Sequence, residues 1–195
     1  MKGCRPLCHD EKKRLSQVIH GQNRDNLLVS LGLATGFRIS ELLSLQIKDL
    51  IAPNGKVMSF ISLQARNTKN KQGRSQILNN QVKGDIKTWC RSLLKRGATP
   101  DSFVFVGRES RRFSKPVTRQ RGWQIVKGLF AKAGIFGQTG CHTLRKTFAK
   151  KLKDSGLPLE EIKDALGHVS ITSTICYLSF DRDNMHNMIL NMDLF

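Results

Sequence analysis

Apolar residues recur three and four apart along most of the chain, and in one stretch the pattern gives way to alternation. Leu27, Leu28, Leu31 and Ala34 share one face of a helix over residues 24 to 35, which Gly36 ends. Before it, Leu15, Val18 and Ile19 keep helical spacing from Asp10 to His20, with Asp10 placed as the cap. Ser40 precedes a short helical start at Glu41, Leu42 and Leu43. From Ile47 to Leu78 the period changes. Asn54-Gly55 is a hairpin dipeptide between two runs that read as strands, Ile47 to Ile51 and Lys56 to Leu63. A third strand is expected from Ser75 to Leu78, after the polar basic loop ARNTKNKQGR. Helical spacing then predicts helices over 80–96, 118–133, 142–154, 158–166, 170–178 and 183–192, punctuated by Gly97, Gly134, Gly140 and Gly156. The apolar run at 102 to 106 fits neither period. The expected fold class is mainly α (α+β): one helical domain over residues 1–195 with a small three-stranded antiparallel sheet.

Composition adds a direction. The chain has 195 residues, enough to bury a core without disulfide or metal. Its five cysteines, Cys4, Cys8, Cys90, Cys141 and Cys176, are odd in number and scattered, which argues against a disulfide framework. Cys4, Cys8 and His9 lack the second ligand pair that zinc would need. The N-terminus has no apolar signal region and no apolar run approaches a membrane span. The expectation is a cytoplasmic protein in a reducing environment, with no membrane partner.

Charge is the most informative part of the composition. Lys and Arg number 33 against 15 Asp and Glu, a formal charge of +18. An excess on this scale calls for a polyanionic partner; nucleic acid is the default and a membrane surface the alternative. The charge is uneven. Residues 179–195 carry −2 and are rich in Met, Ile and Leu, so the first 178 residues carry +20. That apolar terminal segment either caps its own domain or docks on a neighbouring subunit.

Three segments hold candidate chemistry: TGFRISELLSL with Arg38, CHTLRKTFAKKL with His142 and Arg145, and LGHVSITSTICY with His168 and Tyr177. His142 and Arg145, three apart, project from one helix face, and Glu41 can reach Arg38 in the same way. Tyr177 is the only tyrosine in the sequence. Taken alone, each of these residues has an ordinary structural reading. In order and spacing together, they resemble the tyrosine recombinase family, the phage integrases. The resemblance runs from about residue 8 to 185. It covers two arginine boxes, the step of 23 residues from Arg145 to His168, and the step of nine to Tyr177.

That resemblance implies a helical catalytic domain that breaks and rejoins DNA through a 3′-phosphotyrosyl link, with no metal or cofactor. It implies Tyr177 as nucleophile, Arg38 and Arg145 on the phosphate, and His142 and His168 orienting the phosphate and handling the tyrosine proton. A lysine in NTKNKQGRSQIL serves as general acid; Lys69 aligns best, with Lys71 as the alternative. The chemistry suits these residue types. Tyrosine forms a reversible covalent ester, and arginines offer paired donors with permanent charge to a phosphorane. Expected phosphate contacts are Lys71, Arg74, Arg111, Arg112, Lys115, Arg119, Arg121 and Lys146.

Members of the family commonly carry an N-terminal DNA-clamping domain; this sequence resembles short members, such as those that invert fimbrial promoter segments. The resemblance further implies a homo-tetramer on DNA, joined through the C-terminal segment, and accessory DNA-bending proteins. Two other functions share these residues or this fold: a type IB topoisomerase-like enzyme, and a non-catalytic DNA-binding regulator.

Overall fold

The computed structural model describes residues 3–19, 23–63, 73–107 and 113–178. Its helices are α1 (His9–Val18), α2 (Arg24–Thr35), α3 (Ile39–Leu43), α4 (Asn80–Lys95), α5 (Arg119–Lys132), α6 (Cys141–Asp154), α7 (Leu159–Leu166) and α8 (Ile171–Leu178). Two strands, β1 (Phe60–Leu63) and β2 (Arg74–Ile77), pair antiparallel with Phe60 opposite Ile77 and Leu63 opposite Arg74. The expected helix at 183–192 lies outside the described residues. No helix among them is long and apolar enough to cross a membrane.

Helix α2 is the hub, packing against α3, α4, α5 and α6. Leu27, Leu28, Val29, Leu31 and Thr35 are all buried, so this helix has almost no solvent face. The Asn23 side chain caps its start by accepting from the Asp25 and Asn26 amides. Gly32 lets α6 come close: a Cβ there would stand 2.9 Å from Leu144 Cδ1. Ile86, Cys90, Leu93, Val126 and Phe130 complete the main core around it. A smaller cluster of Phe148, Ala149, Ile162 and Leu166 lies beside it, with Tyr177 and Leu178 leaning on it.

Three local expectations need correction. The sheet has two strands among the described residues, not three. Residues 47–49 wind a 3-10 turn that buries Ile47 and Leu50, and the Asp49 carboxylate accepts the Gln46 amide at 2.8 Å. The Ile47 and Lys48 amides are taken by the Ser102 and Pro100 carbonyls, so neither is free for a ladder. The Asn54-Gly55 turn does form, with Gly55 at φ 75°, but it closes only an isolated bridge between Ile51 and Val57. At α1 the cap is Cys8, not Asp10, which sits in the first turn. The run at 102–106 is buried core, with Phe103 bridging Gln46 and Val106 bridging Pro116.

The N-terminal segment is stapled across the helices. The Arg5 amide donates to the Gln138 carbonyl, and the Leu7 amide to Thr147 Oγ1. Arg5 grips Glu11 through both terminal nitrogens, at 2.7 and 2.6 Å, and the Cys8 amide adds a third donor. The Arg5 hydrogen bond holds the Glu11 carboxyl down at about 2. A depressed carboxyl pKa stabilises the fold above the unfolded value and stops doing so as pH falls through the folded one. Glu11→Gln is therefore expected to cost about 1–2 kcal/mol at pH 7, a range reduced for solvent screening around the partly exposed Arg5. The gap between the two proteins should narrow below about pH 5 and nearly close near pH 2. Urea unfolding of both proteins across this range measures it.

Candidate active site

Three chain reversals bring the candidate residues to one place. Arg38 is the residue before α3, just beyond the Gly36 turn that ends α2. His142 and Arg145 lie on the first two turns of α6. His168 follows Gly167, which ends α7 in the left-handed region, and Tyr177 lies near the end of α8.

Arg145 is the most firmly held. It is 2% exposed. Its Nη1 donates to the Gly36 carbonyl at 2.7 Å, and its Nη2 donates to the Leu166 carbonyl. The carbonyls at the ends of α2 and α7 thus orient one guanidinium, in keeping with the negative end of each helix. Burial lowers its pKa to about 10, with the Arg38 charge adding to the effect. It remains a cation at neutral pH. Gly36 has φ 63°, and a Cβ there would lie 2.3 Å from the Phe148 ring. Gly36→Ala is expected to cost about 2–4 kcal/mol, from left-handed strain and overpacking together. A melting temperature lower by about 5–15 °C would register it.

Arg38 donates from Nη1 to Glu41 Oε1 at 2.9 Å, and its amide donates to Glu41 Oε2 at 2.6 Å. Glu41 itself is 1% exposed and does reach Arg38, as its spacing of three residues led one to expect. Arg38, Arg119, His142 and Arg145, with Phe37, Ile39, Ser40 and Cys141, line a cleft of about 450 Å³.

His168 places Nδ1 3.0 Å from Thr174 Oγ1, and its ring meets the Tyr177 ring edge-on at 5.3 Å between centroids. Burial, followed by the charges of Arg145, Arg38 and Arg74, lowers the His168 pKa to about 4. Burial and nearby cations, Arg145 first, push His142 down as well. Both imidazoles are neutral at pH 7. Burial raises the Tyr177 phenol to about 12, against the opposing pull of Arg145 and Arg38. The Tyr177 hydroxyl is 3.5 Å from the His142 carbonyl, and the Arg145 guanidinium carbon is 6.0 Å from its ring centre.

The structure thus brings Arg38, His142, Arg145, His168 and Tyr177 together. Lys69, Lys71, Arg111 and Arg112 lie outside the described residues. Lys115, Arg119 and Arg121 are exposed, as a phosphate contact requires. Two expected phosphate contacts are placed otherwise. The Arg74 side chain is 6% exposed and bonded to Glu41 at 2.6 Å. Lys146 is 7% exposed, with its ammonium 5.2 Å above the Tyr177 ring. Thr174 was missed, although its place between His168 and Tyr177 in the tyrosine box pointed to it.

The phage integrase family profile matches residues 5–183. Tyrosine recombinase XerD of Oceanobacillus iheyensis is 32% identical over 189 residues, covering 93% of this chain and 60% of that protein. Tyrosine recombinase XerA of Pyrococcus furiosus is 32% identical over 173 residues, covering 88% of this chain and 56% of that protein. The chain therefore spans well under two thirds of the length of these relatives. A crystal structure of XerA recombinase superposes with a TM-score of 0.79 at 24% identity, over 96% of this chain and 65% of that one. XerH recombinase in its post-cleavage complex with a palindromic difH substrate gives 0.75 at 23%, over 96% and 53%. These likenesses carry the fold.

Proposed function

Since the chain belongs to the phage integrase family, we propose that it is a site-specific DNA recombinase acting through a covalent 3′-phosphotyrosyl intermediate. The observation that carries this reading is Tyr177 packed against the His168 ring and near the Arg145 guanidinium, whose cleft Arg38 and His142 share. The DNA-bound XerH structure, similar in fold, supports duplex DNA as the substrate.

In this reading, Tyr177 Oη forms a bond to phosphorus as the bond from phosphorus to the 5′ oxygen breaks. The phenol proton passes to a neutral imidazole, His168 or His142; the His168 ring lies edge-on to Tyr177 at 5.3 Å between ring centres. Lys69 supplies a proton to the departing 5′ oxygen. Arg38 and Arg145 hold the non-bridging oxygens, and their charge counts most on the phosphorane. Attack by the freed 5′ hydroxyl of another strand reverses each step and rejoins the DNA. Nothing in these steps calls for a metal.

Lys115, Arg119 and Arg121, exposed at or before the start of α5, supply contacts to the DNA backbone, and Lys71, Arg111 and Arg112 are assigned the same role from the sequence. Residues 1–195 act as one catalytic unit, and four copies assemble on two DNA sites through the apolar segment 179–195, with DNA-bending proteins as helpers.

The test is covalent capture. Nicked duplexes tiled across the DNA flanking the chain's own gene are incubated with the protein and quenched with detergent. An adduct on one duplex, lost with Tyr177→Phe, is the expected result and maps the crossover site. Adducts on every duplex alike would point to topoisomerase-like action. Sequence-specific binding without any adduct would point to a regulator.

A further inference from the structure

Arg74 is a buried cation outside the cleft of Arg38, His142 and Arg145; it borders a second hollow with Gln76, Phe148 and Ala165, and no step described above uses it. Its Nη2 donates to Glu41 Oε2 at 2.6 Å, the same oxygen that receives the Arg38 amide. The other Glu41 oxygen receives Arg38 Nη1. One carboxylate, 1% exposed, therefore ties together two guanidiniums that would otherwise repel each other. The Arg74 guanidinium also stacks 5.0 Å over the ring of Phe37, the residue before Arg38. Its Nε is buried without a hydrogen-bond partner.

On its third side, Arg74 lies against Gly167, where a Cβ would stand 2.6 Å from Nη1. Gly167 is the residue before His168. Burying a guanidinium while leaving one donor unsatisfied is costly. A surface phosphate contact would not require it. What the burial does achieve is a second guanidinium on Glu41, the carboxylate that also receives the Arg38 amide and Nη1.

We propose that Arg74 is a positioning residue: it acts on strand cleavage through Glu41 and Arg38 rather than by touching DNA. The inference rests on the proposed function. With Glu41 held from one side only, Arg38 would sample several rotamers, and a phosphate clamp misplaced by about 1 Å can lose on the order of 10²-fold in rate.

The experiment is a double-mutant cycle on single-turnover adduct formation, using the duplex that captures the unsubstituted chain. Arg74→Gln alone is expected to slow cleavage by ten-fold or more, with DNA affinity and its salt dependence unchanged. In an Arg38→Ala background, the same substitution is expected to change the rate less than three-fold, because its route of action has already been removed. Arg74→Lys, which keeps a cation beside Glu41, is expected to restore most of the rate, and Arg74→Met replaces Gln should that variant melt early. Equal slowing in both backgrounds, a full rate from Arg74→Gln, or a shallower salt dependence of DNA binding would each overturn the inference. Failure of the unsubstituted chain to form any adduct would instead overturn the reading of the site, and this inference with it.

Discussion

Tyr177→Phe is expected to end covalent adduct formation, by about 10⁴-fold or more, with fold and DNA affinity intact. Removing a nucleophile stops the step it performs, and losses of this order accompany such removals in other covalent enzymes. The structure predicts a clean substitution. The ring is what packs: edge-on against His168 at 5.3 Å, under the Lys146 ammonium at 5.2 Å and near the Arg145 guanidinium at 6.0 Å. Phenylalanine keeps all of that. The hydroxyl's contact with the His142 carbonyl is long, at 3.5 Å, so its loss leaves little unsatisfied. Melting within about 2 °C of the unsubstituted chain and binding within three-fold should accompany the loss of adduct. Because Tyr177 is the only tyrosine, an adduct that survived the substitution would require another class of nucleophile.

Burial holds Tyr177 near 12, so it rests protonated and weakly nucleophilic. His168, near 4, is neutral and able to accept a proton. Proton transfer and attack therefore belong together in the transition state, where the phosphorane's charge offsets the surplus of Arg38 and Arg145.

The sequence made the site legible where its geometry is local. His142 and Arg145 share a face because three residues make nearly one helical turn. Gly36 ends α2 where a left-handed residue was needed. One buried cation nearby went unread. Lys146 is one residue from the buried Arg145 and is itself buried, although in a run of lysines it reads as solvated. Arg74 was illegible for a different reason. It follows a basic loop, and its burial depends on Glu41, 33 residues away, and on the ring of Phe37. No local pattern encodes a contact between elements so distant in the chain. The misread strand at 47–51 has the same cause. Its amides pair with Pro100 and Ser102, far along the sequence, and tertiary partners overrode β propensity.

Arg145→Lys is expected to slow cleavage by about 10³-fold although the charge is conserved, a size in the range seen when transition-state donors or arginine fingers are removed. Arg145 joins two helix ends: Nη1 reaches the Gly36 carbonyl at the end of α2, and Nη2 the Leu166 carbonyl at the end of α7. A lysine ammonium is a single point and cannot span both while presenting further donors to a phosphate. It would satisfy one carbonyl, leave the other short of a partner and lose the planar fork. Burial already lowers the guanidinium to about 10. An ammonium in the same place starts from a lower reference value and is the harder ion to desolvate. The variant should therefore melt a few degrees lower, while DNA affinity changes less than five-fold, since most affinity comes from exposed cations and their counterion release. Single-turnover adduct formation at saturating protein separates the two quantities. A rate within ten-fold of the unsubstituted chain would mean that a positive charge alone suffices, and the paired-donor role of Arg145 would have to be given up. A 10³-fold loss with binding intact would place its contribution in the transition state, where a fork held by two backbone carbonyls needs no reorganisation as the phosphorane forms.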